Sequence, residues 1–231
     1  MRGPFAPVWA RVAVTFDKKR TDIMNRILPG VIAMAAVVVA SNILVQFLIL
    51  DGLLTWGAFT YPIAFLVTDL MNRIYGAAEA RKVVLVGFVT GIICSLIGSQ
   101  VMLEFGPAVP LRIGVASGFA FLTAQLLDIA VFDRLRRGVW WKAPLASTVV
   151  GSVIDTALFF TVAFSAQISF GADSDAATAW ALDSMPFMTV GPYQPLWVTL
   201  AVADWMVKIA VALIALVPFR IITGKLNATT Q

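Results

Sequence analysis

Six runs of about 20 residues, nearly free of charge and separated by short polar turns apart from a long acidic connection at 167–195, dominate this chain. A run of that length is what an α-helix needs to cross the hydrocarbon of a bilayer. Placed where charge and turn residues return, the runs cover 28–50, 55–73, 81–103, 113–133, 142–166 and 196–219. A soluble two-layer domain cannot house them, because its helices need one polar face each. Composition agrees: 60% of the 231 residues are hydrophobic, only 13% are charged, and the mean hydropathy is +0.89. The expected fold class is therefore all-α, a polytopic membrane protein with six transmembrane helices. Its expected organisation is an N-terminal arm at 1–27, a six-helix domain at 28–220 and a tail at 221–231. The arm is polar and basic and lacks the compact apolar core and small-residue cleavage site of a signal peptide.

An even number of spans returns both termini to one side, and Lys and Arg say which. The arm carries Arg2, Arg11, Lys18, Lys19, Arg20 and Arg26. The second connection adds Arg73, Arg81 and Lys82, the fourth Arg134, Arg136, Arg137 and Lys142, and the tail Arg220 and Lys225. The opposite side has Arg112 alone, among Asp51, Glu104, Asp173, Asp175 and Asp183. The positive-inside rule then places both termini in the cytoplasm, and the excess of positive charge reads as a topology signal, with no nucleic acid partner implied. Trp56, Trp140, Trp141 and Trp197 fall at span ends, at headgroup level.

What is missing narrows the chemistry. There is no histidine and one cysteine, Cys94 in an apolar run. That removes a Ser–His pair, a His-bearing zinc site, a thiolate cluster and any internal disulfide, so neither metal nor cofactor is expected. The segment "ITGKLN" at 222–227 lacks the first glycine and the strand context of a P-loop, so the chain cannot hydrolyse ATP by itself. An aspartyl dyad is formally available, but no spacing favours it. The chain reads as a non-enzyme.

The functional argument rests on charge inside the membrane. Asp69, Asp128, Asp155, Asp204 and Lys208 lie within the runs, and each costs about 2.5–3.5 kcal/mol at a helix centre. At 1.5 Å per residue, Asp155 is about 20 Å in from the cytoplasmic start of its run and Asp204 about 12 Å in from the outer start, near mid-membrane. Asp69 and Asp128 come later in their runs, in the cytoplasmic third. Asp204 and Lys208 are four apart and can pair on one helix face. In "APLASTVVGSVIDTALFF", Ser147 or Thr148, Gly151 or Ser152, and Asp155 form a narrow polar strip. Gln125 and Asp128 share a face, as do Asn42 and Gln46; amides in a membrane serve either as a pocket or as interhelical glue. In "LVTDLMNRIYG" at 66–76, Asp69 and Arg73 are four apart, which fits either a helix exit with an internal salt bridge or a gate at the cytoplasmic mouth. "GFVTG" at 87–91 and "GVASG" at 114–118 offer close helix approach.

Carboxylates and amides beside Trp56, Phe59, Tyr61 and Phe65 suit a small flat nitrogen-rich solute, whose N–H edge a carboxylate clamps while rings stack on its plane. A cation or an amine would satisfy the same acids. The residues alone lead to a transporter or membrane-embedded solute binder.

Several blocks then combine. "SNILVQ" at 41–46, "TWGAFTYPIAFLVTDLMNRIYGAAEAR" at 55–81, "QLLDIAVFDRLR" at 125–136, "WWKAPLASTVVGSVIDTALFF" at 140–160 and "VADWMVKI" at 202–209 resemble, in order over about 28–220, the bacterial queuosine-precursor transporter family, also grouped with vitamin-uptake transporters. The resemblance implies a six-span, multi-pass inner-membrane protein. It would import the cyano- or aminomethyl-deazaguanine base used for tRNA queuosine salvage. The alternative is a substrate-binding membrane subunit of an ATP-driven vitamin or nucleobase importer. Besides the resemblance, the residue chemistry assigns the base edge to Asp155 or Asp204, polar support to Asn42, Gln46 and Gln125, and stacking to Phe59 and Tyr61. Asp69, Asp128, Lys208 and Arg73 are assigned to gating or coupling. The expected partners are the flat purine-like solute and the lipid bilayer, with a homo-oligomer and separate energising subunits left open.

Overall fold

The computed structural model describes residues 8–104 and 106–229, with side chains over 25–50, 52–104 and 106–225. Most of the arm therefore has no described side chains, and Arg2 lies outside the described residues altogether. Among the described residues eight α-helices form: α1 (Val8–Leu44), α2 (Gly57–Thr60), α3 (Ile63–Tyr75), α4 (Ala77–Gly98), α5 (Leu111–Leu135), α6 (Lys142–Phe164), α7 (Ala172–Ala176) and α8 (Leu196–Thr229). Three two-stranded antiparallel hairpins interrupt them: β1 (Leu48–Ile49) with β2 (Leu54–Thr55), β3 (Met102–Leu103) with β4 (Gly106–Pro107), and β5 (Ser184–Pro186) with β6 (Tyr193–Pro195). All three close the end of the bundle opposite the α3–α4 and α5–α6 turns. The turn end is rich in Arg and Lys and is here the basic end. The hairpin end, with the 167–195 connection, is the acidic end.

Among the described residues, five helices are long and apolar enough to span: Asn25–Leu44 within α1, α4, α5, α6 and Leu196–Lys225 within α8. Expected run two is different. It splits into α2 and the 13-residue α3, and 13 residues rise about 20 Å, short of the roughly 30 Å hydrocarbon core. Pro62 causes the interruption. It has no N–H to give, and the chain tightens around it, with Ala64 N–H donating to Tyr61 O and Phe65 N–H to Pro62 O. The backbone at Trp56, Tyr61 and Pro62 nevertheless stays right-handed helical, so α2 and α3 continue in one direction. The expected arm is continuous with the first span, since α1 runs unbroken from Val8 and carries Pro29 inside it.

α3 is the centre of the bundle. It packs against α1, α4, α5, α6 and α8, and Ala64, Phe65, Val67, Thr68, Asp69, Met71 and Asn72 are all buried. Its apolar side meets Met34, Val38, Val83 and Ile129 in the main core. Smaller clusters sit at the two ends, Phe160 and Phe164 with Ala181 at the acidic end and Phe132 with Phe219 and Ala143 at the basic end. α3 stops at Gly76, whose φ of 90° is a conformation side chains with a Cβ rarely adopt. The small-residue steps do face neighbours. A Cβ on Gly87 or Gly91 would meet Met34 or Val38 of α1, and one on Gly114 or Gly118 would meet Ser95 or Ile92 of α4.

Arg73 ends α3 without pairing with Asp69. Its guanidinium donates to the carbonyl of Arg136, the residue capping α5, and Arg136 Nη2 returns a bond of 3.4 Å to Arg73 O. Each arginine thus satisfies a free carbonyl at the other helix's C-terminus, where a cation also opposes the helix dipole. The expected internal Asp69–Arg73 salt bridge is replaced by this exchange.

Candidate functional site

Two polar layers lie inside the bundle, and α6 supplies a face to both. In the layer nearer the acidic end, Lys208 of α8 extends its ammonium between two carboxylates. Its Nζ is 2.7 Å from Asp155 Oδ2, forms a second ion pair with Asp204 one helical turn earlier, and donates to Thr156 Oγ1 at 2.9 Å. Thr156 passes its own proton to Asp204 Oδ2 at 3.0 Å, and Tyr61 donates its hydroxyl to Asp155 Oδ1 at 2.9 Å. The Lys208 ammonium also lies 5.5 Å from the centre of the Tyr61 ring, within cation–π range. Lys208 is 3% exposed, whereas the Asp204 side chain keeps 17% of its surface accessible. The layer has two acids and one base, a formal net charge of −1, with each carboxylate paired and hydrogen-bonded as burial requires.

The second layer lies toward the basic end. Asp69 of α3 accepts from Ser147 Oγ at 3.1 Å and from Thr148 Oγ1 at 3.3 Å, both on α6. Asp128 of α5 lies level with Asp69, because Thr68 bonds Gln125 and Asn72 bonds the Ile129 carbonyl on either side of the two acids. Neither Asp128 oxygen meets a donor among the described residues. Gln125 Oε1 accepts from Thr68 at 2.5 Å and Asn72 Nδ2 donates to Ile129 O at 3.1 Å, leaving Gln125 Nε2 and Asn72 Oδ1 buried without partners. A cavity of about 10 Å³ adjoins Asp69 and Thr148, with Phe65, Leu216 and Phe219 among its walls. That is room for about one water.

Between the layers, Phe65 lies against Gly151. A Cβ there would come within 2.8 Å of Phe65 Cε1 and 3.4 Å of Ala124 O, so only glycine lets α6 approach α3 and α5 this closely.

The expected site residues sort clearly in the bundle. Asp155, Asp204, Lys208 and Tyr61 come together, and Asp69, Asp128 and Gln125 form the other layer. Three others stand apart. Asn42 donates to Val38 O, its own helix backbone, at 2.9 Å. Gln46 is exposed and bonds Ala108 O at 3.3 Å in the loop before α5. Phe59 is 38% exposed and packs on Trp56, with ring centres 6.1 Å apart. Their side chains face backbone, loop or surface because α1 ends at the hairpin level and α2 turns its Phe59 face outward. Thr156 was not anticipated; it directly follows Asp155 and lies off the four-residue strip, on the side that faces α8.

Arg112 was read only as a stray positive charge, and it has a structural task. It is buried, and its guanidinium donates to Val162 O at 2.8 Å, to Ser165 O and to Asp175 Oδ1 at 3.2 Å. It thereby caps the C-terminus of α6 and ties down the acidic 167–195 connection. Asp175 also accepts from Ser169 Oγ at 2.5 Å and Phe170 N–H at 3.0 Å.

Comparisons to known proteins assign this bundle of long apolar helices to a family. The family described as "Putative vitamin uptake transporter" matches residues 55–223, which include both polar layers. The chain belongs to this family. It is 35% identical over 176 residues to a "Probable queuosine precursor transporter" of Haemophilus influenzae, covering 71% of this chain and 66% of that protein. It is 40% identical over 142 residues to the "Queuosine precursor transporter" of Escherichia coli, covering 55% and 64%. A Bacillus subtilis "Probable queuosine precursor transporter" is 30% identical over 183 residues, covering 70% and 68%. The chain thus spans about two thirds of the length of these relatives. No solved structure matches it. Family and helices together make this a multi-pass bacterial inner-membrane protein of a transporter family, not of an enzyme family.

Proposed function

We propose that this chain imports a queuosine precursor, 7-cyano-7-deazaguanine or 7-aminomethyl-7-deazaguanine, from the periplasm for tRNA modification. Six spans carry it, with 57–75 as the second and both termini cytoplasmic. The relatives' names support the substrate class, and the imbalance of Lys and Arg supports the orientation. The domain plan of arm, six-helix body and tail goes with it.

The observation that carries the site is the Lys208 ammonium held by Asp155 and Asp204 under the Tyr61 ring. An ammonium between two carboxylates occupies the place that a solute's N–H donors would take. A deazaguanine presents a ring N–H and an exocyclic NH₂ side by side, which one carboxylate can accept together. In this proposal the base edge displaces Lys208 from Asp155 and the flat bicycle lies on Tyr61, itself edge-on to Phe121 at 6.1 Å. Lys208 stays paired with Asp204, its neighbour one turn away, and returns to Asp155 when the base leaves. The paired state is then the closed, empty state. Asn42, Gln46 and Phe59 have no part in this pocket.

The test is uptake of radiolabelled deazaguanine bases by the chain in a host lacking precursor synthesis and its own transporter. Wild type accumulates the base, and Asp155→Asn, inserted at normal abundance, loses at least about tenfold in uptake, the worth of one hydrogen bond to a charged group. Equal uptake by wild type and Asp155→Asn would remove Asp155 from the site. Absence of saturable uptake of every deazapurine by wild type would refute the function.

A further inference from the structure

Among the described residues the Asp69–Asp128 layer contains two acids and no cation, and this asymmetry with the Lys208 layer calls for a function of its own. Asp69 is 2% exposed and Asp128 0%. The bases on the helices around them are either exposed, as Arg26, Arg81, Arg134, Arg137 and Lys225 are, or engaged elsewhere. On α3, Arg73 bonds the Arg136 carbonyl; on α5, Arg136 pairs with Asp133 at 3.1 Å. On α6, Lys142 stands 6.0 Å from the Trp141 ring, and Asp155 is held by Lys208. On α8, Lys208 and Asp204 pair with each other and Arg220 stacks on Trp140 at 4.9 Å. On α4, Glu79 and Lys82 pair at the surface.

Two adjacent carboxylates in a low-dielectric interior with no counter-charge repel each other when both are ionised, and one proton shared between them relieves that repulsion. The hydrogen bonding says how it is held. Asp69 takes two hydroxyl donors, from Ser147 and Thr148, and so is provisioned as the anion. Asp128, whose oxygens have no donor, satisfies itself by becoming a donor to Asp69. Gln125 Nε2, buried without a partner one turn before Asp128, and the one-water cavity beside Asp69 provide polar surroundings for proton exchange. The same α6 strip that holds Asp69 through Ser147 and Thr148 holds Lys208 through Asp155, about 11 Å along the helix.

We infer that the Asp69–Asp128 pair is a proton-binding site that couples solute import to the transmembrane proton gradient, one proton per base. This rests on the importer reading above. Water on the periplasmic-facing side donates a proton to the dicarboxylate, which becomes the mono-acid; the mono-acid returns that proton to cytoplasmic water when the bundle opens inward. No bond other than O–H forms or breaks, and one positive charge crosses with each neutral base.

Proteoliposomes containing the full chain, with tritiated 7-cyano-7-deazaguanine outside, test this. With an acidic exterior, one unit of imposed pH difference supports up to about tenfold accumulation at one proton per base, and a protonophore abolishes it. Asp128→Asn keeps exchange of internal for external base, which needs no net proton movement, and loses the pH-driven accumulation. A wild type that transports the base indifferently to the protonophore, or follows a sodium gradient instead, overturns the inference and leaves the importer reading standing. Infrared spectroscopy supplies a readout that needs no transport. The purified wild type at neutral pH shows a protonated-carboxyl C=O stretch that is missing in Asp128→Asn or, should that variant not fold, in Asp69→Asn. Absence of the band in wild type overturns the proton site outright, whatever the solute.

Discussion

Lys208→Met separates the electrostatic account of the upper layer from a merely steric one. Methionine keeps the length and apolar stem of lysine and removes the ammonium. That ammonium touches Asp155 at 2.7 Å, Asp204 and Thr156 Oγ1 at 2.9 Å, and its removal leaves two carboxylates buried without a counter-ion. Removing one partner of a buried ion pair costs about 3–5 kcal/mol, which for a chain of this length is roughly 6–20 °C in midpoint. If the cost is electrostatic, deleting a negative charge as well must recover part of it. Lys208→Met with Asp155→Asn then leaves Asp204 alone, bonded to Thr156 and 17% accessible, and recovers about 1.5–3 kcal/mol relative to the single Lys208→Met variant. Thermal unfolding in detergent of the wild type, both single variants and the double variant closes the cycle. Additive losses in the double variant, or a loss below about 1 kcal/mol for Lys208→Met, would refute the reasoning, since a purely packed lysine predicts no coupling.

Gly151→Ala places a methyl group 2.8 Å from Phe65 and forces α6 away from α3, costing about 1–3 kcal/mol from overpacking; Gly151→Ala with Phe65→Leu relieves it, checked by the same unfolding assay. Arg112→Met frees the 167–195 connection, because its charged hydrogen bonds, worth about 1.5–3 kcal/mol each, are what hold Asp175 and the α6 end together; hydrogen exchange over 167–183 accelerates at least about tenfold while exchange in α3 stays unchanged. The Ser169 hydroxyl, the Phe170 N–H and then the Arg112 guanidinium hold the Asp175 carboxyl below its ordinary value of 3.8. A lowered value stabilises the docked loop above that pH and the benefit is lost as pH falls below it, so the protection of 169–176, taken relative to the intrinsic exchange rate at each pH, falls as pH drops from 4 to 3 and is flat from pH 5 to 7.

Charge and hydropathy made the bundle and the buried acids legible, because a charge in hydrocarbon is costly enough to stand out residue by residue. Helical spacing also gave the Asp204–Lys208 pair, since i and i+4 share a face whatever the neighbours do. What spacing could not give was the choice among partners on different helices. Asp69 and Arg73 satisfy the same rule as Asp204 and Lys208, yet Arg73 bonds the Arg136 carbonyl and Asp69 the α6 hydroxyls. At a helix C-terminus unpaired carbonyls compete for a guanidinium, and mid-helix they do not. Asn42 illustrates the same limit: an amide in an apolar run can satisfy itself on the carbonyl four residues back, which no count of polar residues reveals. Arg112 was hidden for the opposite reason, since two of its guanidinium's three partners are backbone carbonyls, which every residue carries.

The two layers share one geometric cause. Along α3 and the turn before it, Tyr61, Phe65 and Asp69 follow at intervals of four; along α6, Asp155, Gly151 and Ser147 follow at the same interval in the opposite direction. The two segments run antiparallel, so the rungs coincide: Tyr61 bonds Asp155, Phe65 seats on Gly151, and Asp69 accepts from Ser147. A residue and its fourth neighbour lie about 6 Å apart along a helix, which puts roughly 12 Å between the outer rungs and one aromatic ring in the middle. Because the rungs belong to the same two helices, α6 cannot tilt to release Asp155 from Tyr61 without loosening Phe65 from Gly151 and disturbing the hydroxyls on Asp69. The interruption at Pro62 lies between the first rung and the second, where α3 has already given up regular hydrogen bonding. In the proposed cycle it limits how far a shift of Tyr61 reaches Asp69 along α3, so the coupling between the layers runs through α6.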